Sequence, residues 1–414
     1  FSCERNETMD RKHNAAHMLL FFLVMILYNL AANFAHPVTP TLIQTYQLGD
    51  YMFGVAFAAM QTTNFLFSPF WGKLNGYISS RKSLLICCVG YSIGQLLFYL
   101  SHTAVLIVIA RCISGIFTGG IMVSFLTYIV NTSPDMERGR NLTIQATIAS
   151  VGAAFGYFIG GMLGTISLGA AFLTQVVCLF TCGILFLLVC KDDRVQQQPS
   201  LSARSLARDA NPFAAFLDSR QFMTAVFAVL FTVTALQNLG YTAYDQCFNY
   251  YIKDQFGFSS AYNGVIKGVI GFISLAANST ICMWMIRKTE VKRSIIGVLA
   301  ACTFTVWAVI FIPGVELFLV VNVVFYAFNA VSIPLLQDMV AKKAQGEHSN
   351  LIMGFYNATK SLGGIIGSLV AGFIYTRGPK LAFVFAGIVL LVATLFSVVY
   401  RRMRDSGPAE QAGD

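Results

Sequence analysis

Polar and apolar positions along the 414-residue chain alternate in blocks of about 20 residues, too long for the cores of ordinary soluble helices. Twelve apolar segments can be drawn, at 18–43, 52–71, 83–100, 105–130, 142–164, 168–190, 222–251, 263–286, 294–312, 317–341, 353–376 and 381–400. Each can span the roughly 30 Å of hydrocarbon in a bilayer as one helix. The pattern predicts an all-α integral membrane protein with twelve transmembrane helices in two pseudo-symmetric six-helix halves, 18–190 and 222–400. A basic, Ser/Gln-rich linker at 191–221 separates the halves, and residues 1–17 and 401–414 form polar ends. In the first segment, NLAANFAHPVTP, Pro37 and Pro40 are expected to bend the helix just beyond His36.

The two halves share a recognisable stretch. Ser150–Gly161, SVGAAFGYFIGG, returns at an offset of 211 as Ser361–Gly372, SLGGIIGSLVAG, so that Gly152, Gly156 and Gly161 correspond to Gly363, Gly367 and Gly372. Glycines four apart share one helix face, and together they leave a groove where a neighbouring backbone can approach closely. A duplication at half the chain length in a helical membrane protein predicts a secondary transporter, with its site near the membrane midplane.

Charge fixes the expected orientation. Hydrophobic residues make up 56% of the chain and charged ones 11%, which excludes an ordinary soluble domain. The net charge of +9 could suggest nucleic acid, but its distribution points to the membrane instead. Of 28 Lys and Arg, 22 fall in alternate polar gaps that include both ends; Lys253, Arg377 and Lys380 occupy the others, and Arg111, Lys267 and Lys360 lie within apolar segments. By the positive-inside rule both termini are predicted to be cytoplasmic. The first apolar run is too long for a cleavable leader. Most of the ten cysteines lie in or beside apolar segments, where packing is the expected role, and they suggest neither a disulfide framework nor a metal set. Without a nucleotide loop, a metal set or a nucleophile elbow, neither an enzyme nor an ATP-driven pump is expected, and no cofactor is implied.

Three motifs carry a family resemblance. Gly72–Lys82, GKLNGYISSRK, resembles the first cytoplasmic loop signature of the major facilitator superfamily, with Gly72, Arg81 and Lys82 in place but Gly76 where that signature carries an Asp. Arg111-Cys-Ile-Ser-Gly115 is similar to the family's helix-four motif. GAAFGYFIGG in the fifth segment resembles the GxxxGPxxGG motif of drug–proton antiporters: Gly152, Gly156, Gly160 and Gly161 match and Tyr157 replaces the Pro. The resemblance implies the twelve-helix fold, a small-molecule substrate, proton coupling and no enzymatic activity. It also implies a coupling role for Arg111.

The remaining candidates follow from charge and position. Asp245, in NLGYTAYDQCFNYY, is the clearest intramembrane carboxylate and so a candidate proton carrier; the bland alternative pairs it with Lys267. Lys360, Lys267, His36, Asn33, Tyr241, Tyr244, Gln246, Phe248 and Asn329 are candidates to line a substrate cavity, although a packing role is open for each. Tyr244–Phe248 and Lys360 also resemble helices seven and eleven of sugar–proton symporters. The expectation is a monomeric, proton-coupled exporter of drug-like or metabolite molecules in a bacterial cytoplasmic membrane, surrounded by lipid and without nucleic-acid partners. An importer of a sugar or organic anion, and a non-transporting receptor or scaffold, are the alternatives.

Overall fold

A backbone placed in hydrocarbon must satisfy its own polar groups, and a helix does so without help from a neighbour. The structure is a computed structural model that describes residues 2–193, 211–343 and 349–403, and all regular structure in these residues is helical. Much of the predicted linker and the end of the tail lie outside the described residues.

The chain divides into two compact units: residues 1–212 with 249–272, and residues 213–248 with 273–414. The first holds α1 (Ser2–Ala31), α2 (Thr39–Thr45), α3 (Met52–Leu74), α4 (Ser80–Leu100), α5 (Ala104–Thr132), α6 (Asp135–Ile166) and α7 (Leu168–Val189). It also takes the last turns of α8 (Ala225–Asp254) and most of α9 (Ser260–Ala277). The second holds the rest of α8, a π-helical turn (Asn278–Cys282), α10 (Met283–Lys288), α11 (Val291–Phe311), α12 (Val315–Lys343), α13 (Ser349–Tyr375) and α14 (Pro379–Arg402).

Ten helical stretches among the described residues are long and apolar enough to cross a membrane, with α9, the π-turn and α10 acting as one. The other two predicted spans correspond to α1, whose apolar part is Ala16–Ala31, and to α3. Polar residues dilute α3, and the structure shows what they do: Thr63 Oγ1 donates to the Cys112 carbonyl at 2.9 Å and Asn64 Nδ2 donates to Thr118 Oγ1 at 3.2 Å, both on α5. The set of helices is consistent with twelve crossings. The first predicted span is not one helix, however. It stops at Ala31, passes through turns, and restarts at Thr39 with Pro40 in its first turn. Pro37 has no N–H to offer the Asn33 carbonyl, so the helical ladder cannot continue through it.

Each unit has its own apolar core. In the first, Phe21 packs against Phe125, Phe186 and Tyr128, the last with ring centroids 4.5 Å apart. In the second, Phe231 meets Phe355 at 4.6 Å beside Phe222.

The degenerate loop signature is compensated locally. Gly76 is exposed and supplies no carboxylate. Asp193, just beyond α7, caps the start of α4 instead: Oδ1 accepts from the Ser80 N–H at 2.7 Å and Oδ2 from the Ser80 hydroxyl at 2.5 Å. Arg81 pairs with neighbouring Asp192 at 3.1 Å, half-exposed and therefore a minor contributor, while Lys82 is exposed. Asp193 is only 8% exposed, and an anionic acceptor at a helix N-terminus is among the stronger hydrogen-bond partners. Asp193→Ala is expected to cost about 2 kcal/mol, read as a lower melting temperature of purified protein, with Asp192→Ala costing much less.

Candidate functional site

The first unit gathers several of the predicted residues around Tyr157 on α6. Helix α6 runs unbroken through this position, as expected where a tyrosine replaces a kinking proline. His36, in the turns after α1, stacks on the Tyr157 ring with centroids 5.4 Å apart and planes 10° from parallel. Lys267 of α9, 8% exposed, places its Nζ 5.9 Å from the same ring centroid. Arg111 of α5 is 4% exposed. Its guanidinium carbon lies 3.9 Å from the Phe98 ring centroid and Nη1 is 3.6 Å from Met60 Sδ. Its Nε is buried without a hydrogen-bond partner, and no carboxylate among the described residues pairs with it.

Sequence reading missed the polar groups that complete this region. Tyr91 and Gln95 come from α4 and Gln175 from α7. The break after Ala31 leaves the Ala32 carbonyl at the helix end, where the Tyr91 hydroxyl donates to it at 3.3 Å and Gln175 Nε2 at 3.0 Å. Gln95 Oε1 and Gln175 Oε1 are buried and unsatisfied. The only available signal was two glutamines in otherwise apolar segments, and hydropathy alone cannot tell a packing amide from a lining one. Asn33 donates from Nδ2 to the Asn29 carbonyl at 2.8 Å and so stays within its own helix end.

The glycine run explains how α6 comes so close to its neighbours. A Cβ on Gly152, Gly156 or Gly160 would strike Asn29, Leu30 or Phe34, all on or just after α1. One on Gly161 would lie 2.5 Å from the Ser260 carbonyl oxygen and 2.9 Å from Gly264 Cα, on α9. The second unit repeats the first of these crossings: Gly363 and Gly367 of α13 face the Ala235 and Leu239 carbonyls of α8, and Gly372 is buried. The duplicated motif thus builds equivalent backbone-on-backbone contacts, fifth helix on first and eleventh on seventh.

In the second unit Asp245 is half-buried on α8, and its Oδ1 accepts from the Tyr326 hydroxyl of α12 at 2.8 Å. Tyr244 and Phe248 are fully buried among aromatic rings, with the Tyr244 hydroxyl donating to Asn322 Oδ1 at 2.5 Å. Tyr241 and Gln246 are half-buried on the same helix. Asn329 is 3% exposed and accepts from Gln237 Nε2 at 2.9 Å. Lys360 of α13 is half-buried; the Asn238 side chain donates to its carbonyl at 2.6 Å, and no acid among the described residues pairs with its amine. A cavity of about 540 Å³ between α10 and α11, lined by Lys288, Arg293 and Phe328 among others, contains none of the candidate residues.

The family model described as Major Facilitator Superfamily matches residues 21–328 and 290–414. The chain belongs to this superfamily. It is therefore a multi-pass membrane transporter rather than an enzyme. Curated relatives of this superfamily member include Multidrug resistance protein 2 of Bacillus subtilis, 20% identical over 90% of this chain and 92% of that protein. The class C tetracycline resistance protein of Escherichia coli is 26% identical over 83% of this chain and 86% of its own length. Among solved structures, the nucleoside transporter NupG matches with a TM-score of 0.73 at 13% identity, covering 94% of this chain and 100% of that one. At that identity the match speaks for the fold alone.

Proposed function

We propose that this superfamily member is a proton-coupled exporter of small drug-like or metabolite molecules that works by alternating access, as a monomer with both termini in the cytoplasm. The observation that carries the reading is the α6 glycine run, which has the spacing of the antiporter motif and lies directly on the backbones of α1 and α9. Crossings without side-chain interdigitation can part and re-form at low cost, as a rocking transporter requires. The printed names of the relatives, multidrug resistance and tetracycline resistance, support export.

In this mechanism the Asp245 carboxylate exchanges a proton with the pathway, and Tyr326 holds it in place between transfers. A proton and a substrate can each shift the access equilibrium only by binding one state more tightly than the other. Coupling follows if the two favour opposite states. The test uses proteoliposomes with an imposed pH gradient and an internal pH probe, challenged with lipophilic drugs, sugars and organic acids. Proton movement opposite to the substrate is the expected result. Movement in the same direction would establish an importer, and specific binding without any flux would establish a receptor.

A further inference from the structure

The cavity of about 540 Å³ in the second unit lies where α10 ends and α11 begins. Two residues, Thr289 and Glu290, connect these helices. Hydroxyl groups hold the connection in shape: Thr289 Oγ1 donates to the Met285 carbonyl at 2.7 Å, and the Ser294 hydroxyl lies 2.6 Å from Thr289 Oγ1. Both helices line the cavity in the same order. Lys288 ends α10 and Arg293 lies in the first turn of α11, while Met285 and Gly297 lie about one turn further from the connection. Phe328 of α12 adds to the apolar wall. A Cβ on Gly297 would meet nothing within 4 Å, so the space beside it is open. The cavity is thus cationic at one end and apolar at the other. Among the described residues no acid pairs with Lys288 or Arg293. Glu290 also lines the cavity, but Arg401 of α14 lies 4.0 Å from its Oε2 and offsets its charge. Immediately before Met285, Met283 and Trp284 are exposed, and an exposed tryptophan next to basic residues is the usual composition of a membrane–water boundary.

We infer that this cavity binds an anionic phospholipid, with the headgroup phosphate between Lys288 and Arg293 and an acyl chain starting along Met285, Gly297 and Phe328. A phosphate takes charge-assisted hydrogen bonds from both an ammonium and a guanidinium. The step from charge to apolar wall takes one helical turn, about 5 Å along the axis. That is comparable with the thickness of one interfacial layer of a bilayer. A soluble phosphate would use the cationic end and leave the apolar wall facing water, which is unfavourable. The connection also lies on the face that the positive-inside rule predicts to be cytoplasmic, where basic pockets between helices take anionic headgroups. The inference needs neither proton coupling nor alternating access.

The test counts the lipid retained by the purified full-length protein in native mass spectrometry, with dioleoylphosphatidylglycerol and dioleoylphosphatidylcholine offered at equal concentration. Retention of phosphatidylglycerol is expected to be higher by roughly tenfold, the scale of two basic groups at a membrane surface. Lys288→Gln combined with Arg293→Gln should bring the two lipids close to parity. Arg287→Gln combined with Lys82→Gln removes the same charge from exposed positions outside the cavity and should leave the preference intact. Gly297→Leu fills the open apolar end without a clash at Cβ, so it should weaken phosphatidylglycerol retention at unchanged melting temperature. An equal concentration of sn-glycerol 3-phosphate should not displace the lipid. Equal losses in the two double variants would reduce the preference to general surface charge and overturn the assignment. So would displacement by glycerol 3-phosphate, full retention in Gly297→Leu, or equal retention of both lipids by the unaltered protein.

Discussion

Asp245→Asn is expected to abolish substrate-driven proton movement in proteoliposomes while leaving the protein folded. The amide is nearly isosteric with the carboxylate and can still accept the 2.8 Å hydrogen bond from Tyr326, so the local packing survives. What it cannot do is take up and release a proton. Flux should fall by more than about tenfold, since ionisable groups within membrane spans are where proton relays are built. Substrate binding measured without a gradient should persist but lose its dependence on pH, since proton and substrate no longer compete through the access equilibrium. Tyr326→Phe is the companion variant: it removes the donor but leaves the titrating group, so coupling should weaken rather than vanish. Coupling that persists in Asp245→Asn would move the proton carrier elsewhere and leave the transporter intact.

Gly264→Leu is expected to remove transport altogether. A Cβ at Gly264 would lie 2.6 Å from the Tyr157 carbonyl oxygen and 3.0 Å from Gly161 Cα, and both obstacles are backbone atoms that cannot rotate away. The larger side chain must therefore hold α9 off α6, and overpacking of this kind costs about 1–3 kcal/mol or more. If the contact opens and closes during transport, the variant loses the state in which it is closed. Labelling of a cysteine introduced next to Gly264 on α9 should then rise while flux disappears. Gly268→Ala, one turn further along, is the control. Its Cβ would sit 3.5 Å from the Phe158 Cβ, an ordinary contact, so stability and flux should be close to those of the unaltered protein. Equal damage from both substitutions would show that α9 is simply intolerant of change rather than closed at Gly264.

Much of the architecture was legible because hydropathy and charge act over lengths comparable to a whole helix. The apolar blocks predicted the helices that the structure contains, and Pro37 with Pro40 marked the break between α1 and α2. The repeated glycines were legible as contact points, but not their partners: α1 for Gly152, Gly156 and Gly160, α9 for Gly161, and α8 for Gly363 and Gly367. A missing side chain announces that something comes close without saying what. The loop signature shows the opposite limit. It has Gly76 where the signature carries an Asp, yet Asp193, more than a hundred residues later, caps α4. Similarly, Tyr244 read as a lining candidate, whereas the structure buries it completely among Phe325, Phe383 and Asn322.

By itself the sequence determined that this chain crosses a membrane many times as helices, that its two halves carry one duplicated packing motif, and that a few charges sit where lipid would exclude them. These follow from one-dimensional quantities: the length of an apolar run, the spacing of glycines and the depth of a charge. Only the tertiary structure decided which charges share a neighbourhood. His36 and Lys267 are far apart in the chain and meet at Tyr157, Arg111 meets Phe98 and Met60, and Asp245 meets Tyr326. Which side chains face one another depends on how each helix is rotated about its axis and on its depth relative to its neighbours. Packing between helices sets both.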